Sequence, residues 1–356
     1  MKIFSIYLPV VGIHFNILLL ILIGFCVGVI AGFFGEGGGW FVTPALNILG
    51  FPMAYAIGTC LSNIFGQSIG ALKKHHSMGN IDWKLGLISV VVSIIGFEAG
   101  SQVVLYLEKT GNAGLIIRWC YVLFLSGLGS FMFYDYFVLQ KKQLAEDEST
   151  YNTANNAQPG RNKIAEKLYE IKIPPLISFP VSQIESVSLW IIIIIFLFTG
   201  FFSGLLGIGG GFIIMPTLVY LIGLPTIMAV GTTLITVLFS SAYGCFIYAI
   251  NGRVELIASI FLLIGASVGA QIGATAVKYI KGYGIRLLFA MMIIFAALSV
   301  VTEQFFKISG RLFFQTISEI ILIGTALIMT TIIIGKLILE SRQERKLKSI
   351  KNLIDT

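Results

Sequence analysis

Long apolar runs, separated by short polar or glycine-rich breaks, occupy nearly the whole chain. They fall at about residues 16–34, 40–50, 53–72, 83–107 and 115–138, again at 188–206, 212–222, 226–250, 254–278 and 284–302, and once more at 314–339. Most reach the roughly 20 residues with which a helix crosses about 30 Å of hydrocarbon, and none alternates in the period-two manner of a barrel strand. The runs at 40–50 and 212–222 are too short to cross alone. Each predicts either a re-entrant hairpin with the run before it or a shallow, tilted crossing. The pattern predicts an all-α polytopic membrane protein.

The breaks repeat. Residues 32–44 read G-F-F-G-E-G-G-G-W-F-V-T-P and residues 204–216 read G-L-L-G-I-G-G-G-F-I-I-M-P, so Gly35, Gly37, Gly38 and Gly39 return as Gly207, Gly209, Gly210 and Gly211. At an offset of 173, Gly58-Thr59-Cys60 matches Gly231-Thr232-Thr233, Asp82 matches Glu255, and Gly96 and Gly100 match Gly269 and Gly273. Farther on the offset drifts to 168, where Arg118 matches Arg286 and Asp135 matches Glu303. Each half holds an odd number of apolar segments, so the second is predicted to enter the membrane upside down. The fold expected is two inverted-topology repeats with broken or re-entrant helices at the glycine tracts, plus one extra C-terminal helix.

Composition agrees: hydrophobic residues make up 56% and charged residues 12%, with a mean hydropathy of +0.92, far from the roughly 25% charged residues of soluble domains. The +7 net charge is a matter of topology rather than of a nucleic-acid footprint. Eighteen of the 24 Lys and Arg fall in 73–84, 139–187, 278–286 and the C-terminal end from Lys336 on, which the positive-inside rule places in the cytoplasm with the N-terminus outside. The organisation predicted is a first membrane repeat over 1–138, a cytoplasmic linker with a short amphipathic helix over 139–187, the inverted repeat over 188–302, the extra transmembrane helix over 303–339, and a basic cytoplasmic tail over 340–356. The first run, with Lys2 as its one preceding charge and half of the repeated motif at its end, reads as mature protein rather than a cleaved signal. Cys26, Cys60, Cys120 and Cys245 form no C-x-x-C pair and read as small buried hydrophobes.

Glycine holds a helix poorly and lets backbone approach a partner closely. Lipid tolerates a broken helix only where the break is buried in protein or lines a polar cavity, so two equivalent breaks predict a bound solute, as in secondary transporters. The helices restarting after Gly39 and Gly211 offer unpaired N–H groups and positive dipole ends suited to an anion. Thr59, Cys60, Ser62, Asn63 and Gln67 on one following helix, and Thr232, Thr233, Thr236 and Ser240 on the other, add polar groups; 59, 63, 67 and 232, 236, 240 share a face. Close helix packing is the competing reading of the glycines, and interhelical bonding that of the hydroxyls. Glu36, where the second half has Ile208, and Glu98, opposite Gln271, are intramembrane acids and hence candidate coupling residues. Vestibule exposure for Glu36 and a packing hydrogen bond for Glu98 are the alternatives. Arg118 and Arg286, near helix ends, read as interfacial anchors.

The paired G-x-G-G-G…P tracts, the following G-T helix, the G-x-(I/V)-(D/E) turn and the central loop resemble the sulfite exporter TauE/SafE family, over roughly residues 16–302. The extra C-terminal helix and Glu36 depart from that pattern. The resemblance implies a plasma (bacterial inner) membrane transporter of a small sulfur-containing oxyanion or organosulfonate, with protons or sodium as candidate coupling ions. A carrier of a carboxylate or a cation is the alternative, and a membrane enzyme a remote one. The tracts lack the Lys-Ser/Thr of a P-loop, and His14, His75 and His76 have no metal-ligand spacing. No cofactor or metal is expected.

Overall fold

The computed structural model describes residues 4–149, 168–182, 184–279 and 282–354. They contain eleven α-helices of ten residues or more: α1 Ile17–Phe34, α2 Gly39–Ile48, α3 Met53–Ser77, α4 Trp83–Lys109, α5 Ala113–Ser149, α6 Leu189–Leu206, α7 Gly211–Tyr220, α8 Thr226–Ile250, α9 Leu256–Ala276, α10 Gly282–Ser309 and α11 Leu312–Ile354. These match the eleven apolar runs. Eight of them, α1, α4, α5, α6, α8, α9, α10 and α11, are long and apolar enough to cross a membrane. Much of the linker expected over 139–187 lies outside the described residues; of it, 168–170 are described as helical.

Local sequence explains where the helices stop. The Asn16 side chain accepts from the Leu18 and Leu19 N–H groups and caps α1, while Asp82 accepts from Leu85 N and caps α4. Helix α1 ends at Gly35, whose φ of 70° lies in the left-handed region, and Gly37 and Gly38 follow at 79° and 74°. The second tract does the same with Gly207, Gly209 and Gly210 at 66°, 68° and 92°. Three departures of this kind within four residues suit glycine alone. Pro44 and Pro216 sit inside α2 and α7, where a missing N–H and ring bulk weaken further winding.

The two halves are interleaved. Helix α1 packs along α9, and α4 along α6, as the two most extensive helix pairs. A methyl group on Gly24, Gly28 or Gly32 would run into the backbone of Leu262, Ala266 or Ala270, and one on Gly265, Gly269 or Gly273 into that of Ile21, Phe25 or Val29. Gly96 and Gly100 meet the backbone at Leu197 and Phe201, and Gly200 and Gly204 meet Ser93 and Phe97. Because an apolar helix gains no hydrophobic energy by leaving lipid for another helix, backbone-close packing of this kind supplies the association. Residue numbers rise together across both pairs, so each runs parallel. The pairs α3 with α8 and α5 with α10 run antiparallel: Gly58 lies against Tyr248 and Gly244 against Leu61, while Arg118 bonds Gln304 and Arg286 approaches Asp135. Helix α11 flanks α10 and α1.

Two β-hairpins were not legible in the apolar pattern. Strands β1 Ser5–Leu8 and β2 Ile13–Asn16 pair antiparallel just before α1, and β3 Leu176–Phe179 and β4 Ile184–Ser188 just before α6. Each tip is held by the acid that begins the fourth helix of the other half. Glu255 Oε2 accepts from Val10 N at 2.8 Å and Val11 N at 3.2 Å, and Asp82 Oδ2 accepts from Ser182 Oγ at 2.6 Å. The Asp82–Glu255 match in the sequence repeat therefore has a shared structural task.

Candidate functional site

The two glycine tracts abut at the centre of the molecule. A methyl group on Gly39 would lie 2.6 Å from Ile208 Cα, and one on Gly211 would run into the backbone of Glu36. The last glycine of each tract thus serves close approach to the other tract, whereas the three before it supply the positive φ values of the helix break. Thr43 Oγ1, in the first turns of α2, donates to Gly207 O at 3.3 Å and ties the tracts once more.

Around this crossing lie buried polar groups. Glu36 is fully buried; its Oε1 accepts from Trp40 Nε1 at 2.5 Å and its Oε2 has no partner. The Trp40 ring stacks with Phe212 at 6.1 Å between centroids, and Phe212 packs on Phe124 and Phe289. From α3, Gln67 Nε2 donates to Gly37 O at 2.5 Å while its Oε1 is unpartnered. Both amide atoms of the fully buried Asn63 are unpartnered, as are Ser203 Oγ and Ser240 Oγ. Cys60 Sγ lies 3.9 Å from Gly39 O. An unsatisfied buried polar group costs about 1–3 kcal/mol, so this cluster is expensive as mere packing.

The remaining expected site residues have partners of their own. Thr59 Oγ1 accepts from Glu255 N and Thr232 Oγ1 from Asp82 N, both at 3.0 Å, so the two hydroxyls fix the starts of α9 and α4 by an equivalent bond. Thr233 Oγ1 donates to Ala229 O of its own helix, and Thr236 Oγ1 bonds Ser89 Oγ. Ser62 is half-buried at the helix surface. Glu98, half-buried, lies apart from the tracts and accepts from Tyr243 and Gln102 at 2.8 and 2.7 Å.

Arg118 and Arg286 are more than anchors. Arg118 donates to Asn47 Oδ1 at the end of α2 and to Gln304 Oε1 on α10, and shares a small cavity with Glu303. Arg286 donates to Thr226 Oγ1, lies over the Tyr220 ring at the end of α7, and approaches Asp135 of α5 at 3.8 Å. Each guanidinium joins the short helix of its own half to the last paired helix of the other. The sequence repeat pointed to these four residues, and the antiparallel packing of α5 on α10 brings each Arg to the opposite acid. Among the described residues no group of three or more His, Cys, Asp or Glu could hold a metal ion.

Comparison with known proteins gives one consistent picture. The family profile described as sulfite exporter TauE/SafE matches residues 20–300. The probable membrane transporter protein YunE of Bacillus subtilis is 25% identical over 300 residues, covering 82% of this chain and 100% of that protein. YdhB of the same organism, also a probable membrane transporter protein, is 27% identical over 262 residues, or 72% of this chain and 89% of the relative. A probable membrane transporter protein of Methanocaldococcus jannaschii is 28% identical over 207 residues, covering 56% of this chain and 60% of that protein. No solved structure matches the chain.

Proposed function

The chain belongs to the sulfite exporter TauE/SafE family and is a multi-pass membrane transporter; from that premise we propose that it carries a small sulfur-containing oxyanion or organosulfonate across the plasma membrane by secondary active transport. The solute sits where the two glycine tracts meet, in two halves of inverted topology whose short helices α2 and α7 are re-entrant. The observation that carries this reading is the meeting of two broken helices amid buried, unpartnered polar groups: the Asn63 amide, Gln67 Oε1 and Ser203 and Ser240 hydroxyls. A bound oxyanion recovers the cost of the donors among them, aided by N–H groups at the starts of α2 and α7. The antiparallel pairing of α3 with α8 and of α5 with α10 supports inversion, and the charge distribution supports a cytoplasmic C-terminus.

One observation favours a second reading. The Glu36 carboxyl, buried beside Trp40 and Phe212, is a feature that would suit a cation or the cationic end of a zwitterion. The test is flux of sulfite and thiosulfate in proteoliposomes, with and without a pH gradient. The proposed reading expects saturable flux of at least one anion, competed by organosulfonates. Flux of alkylammonium ions with none of the anions would replace it by the second reading.

A further inference from the structure

We propose that Ile64 and Val237 form the apolar constriction that closes the route between the two glycine tracts, and that their bulk sets which solutes pass. This rests on the transport reading above. The two residues are equivalent in the repeat, and each is the twelfth residue of a 25-residue helix, α3 or α8. Both are fully buried.

Their side chains occupy the space that the tract glycines leave. A methyl group on Gly37 would lie 2.6 Å from Ile64 Cγ2 and 2.8 Å from Val237 Cγ1, and one on Gly209 would lie 3.2 and 3.3 Å from Ile64 Cγ2 and Cδ1. Ile64 therefore touches both tracts and Val237 one. The neighbouring positions are polar on both helices: Asn63 and Gln67 beside Ile64, Thr236 and Ser240 beside Val237. The unpartnered atoms of Asn63, Gln67 and Ser240 thus lie close in sequence to an apolar pair at mid-helix.

Such a pair is a barrier in its own right. An anion must shed water to pass an apolar constriction, and constrictions of this kind gate by dewetting. Both side chains are β-branched, and in a helix such residues are held close to one χ1 rotamer. Neither can swing aside, so the route opens only when α3 and α8 move relative to the tracts. Gln67 Nε2 on Gly37 O couples the backbone of one tract to the same helix that carries Ile64.

The test uses the full chain in proteoliposomes, with sulfite, thiosulfate and ethanesulfonate as probes of increasing size. Ile64→Ala combined with Val237→Ala should raise probe leak without a driving gradient by about tenfold or more, the change that a barrier lower by about 1.4 kcal/mol produces. Accumulation driven by a gradient should collapse, and the gain should be largest for ethanesulfonate. In parallel, with the four native cysteines replaced, Ser240→Cys should react with a membrane-impermeant thiosulfonate reagent from one side at most, and from both sides once the pair is truncated. Should the double variant fail to fold, Val237→Ala alone, which removes two carbons, carries the same two readouts. If the unaltered protein moves none of the probes, the substrate proposal fails, and the thiol readout still decides the constriction. Unchanged leak and one-sided labelling in a folded truncation variant would overturn it.

Discussion

At the scale of single residues, the halves differ most tellingly at the tract itself, where one copy has Glu36 and the other Ile208. Its carboxyl has one oxygen on Trp40 and the other without a partner, so a proton or a solute cation is the natural complement. If Glu36 couples transport to protons, Glu36→Gln should retain anion binding and lose its response to an imposed pH gradient. A variant with unaltered gradient dependence would make Glu36 a bystander. The glycines make a finer prediction. Gly38→Ala forces an alanine to φ 74°, which costs about 1–2 kcal/mol, and places its methyl against Val27. Gly70→Ala, with open space and helical backbone, should be neutral or stabilising by up to about 1 kcal/mol. Thermal unfolding in detergent should rank the two in that order. The glycine pattern was readable because no other residue type leaves such a signature. Which glycines serve φ and which serve approach was not, because that division depends on Ile208 and Glu36 arriving from elsewhere in the chain.

Among elements, the apolar runs predicted all eleven helices, because a crossing length of apolar residues has few other uses. The hairpins leave no such mark: their strands are four or five residues long, and the acids that hold them act over long distances in sequence. Asp82 and Glu255 looked like turn residues. The hydroxyls of Thr59 and Thr232 looked like solute ligands, and the structure shows them bonded to the main chain at those same acids. Bonds to a charged acceptor contribute about 1.5–3 kcal/mol, so Ser182→Ala should release the β3–β4 tip while leaving the Asp82 cap on α4 intact. Limited proteolysis should then cut near residue 181 faster than in the unaltered protein, with no change in helix content. Equal cleavage rates would mean that Lys84, which donates to Ser178 O, holds the hairpin alone.

For the whole molecule, the reciprocal pairs at Arg118 and Arg286 stand at opposite ends of the antiparallel α5–α10 pair. Both are engaged at once here. If the halves are inverted, loosening one pair favours opening on one side only. Asn47→Ala with Gln304→Ala should therefore bias thiol labelling toward the outer face, and Asp135→Asn toward the cytoplasmic face. Bias to the same side in both variants would contradict the inverted arrangement, as would cytoplasmic labelling of a cysteine placed at Asn251.

Interleaving also dictates an order of assembly. Val10 and Glu255, which meet in the folded protein, are 245 residues apart in the chain. At about 5–20 residues per second of synthesis, helix α1 waits roughly 12–50 s for the partner that fills its glycine face. During that interval the first half lacks its most extensive interface and has only lipid against Gly24, Gly28 and Gly32. Neither half is then a folding unit by itself, although each is a complete copy of the repeat. Residues 1–149 made alone should be inserted and then degraded, and co-production of residues 168–356 should rescue them, because the first helix of each half packs along the fourth helix of the other.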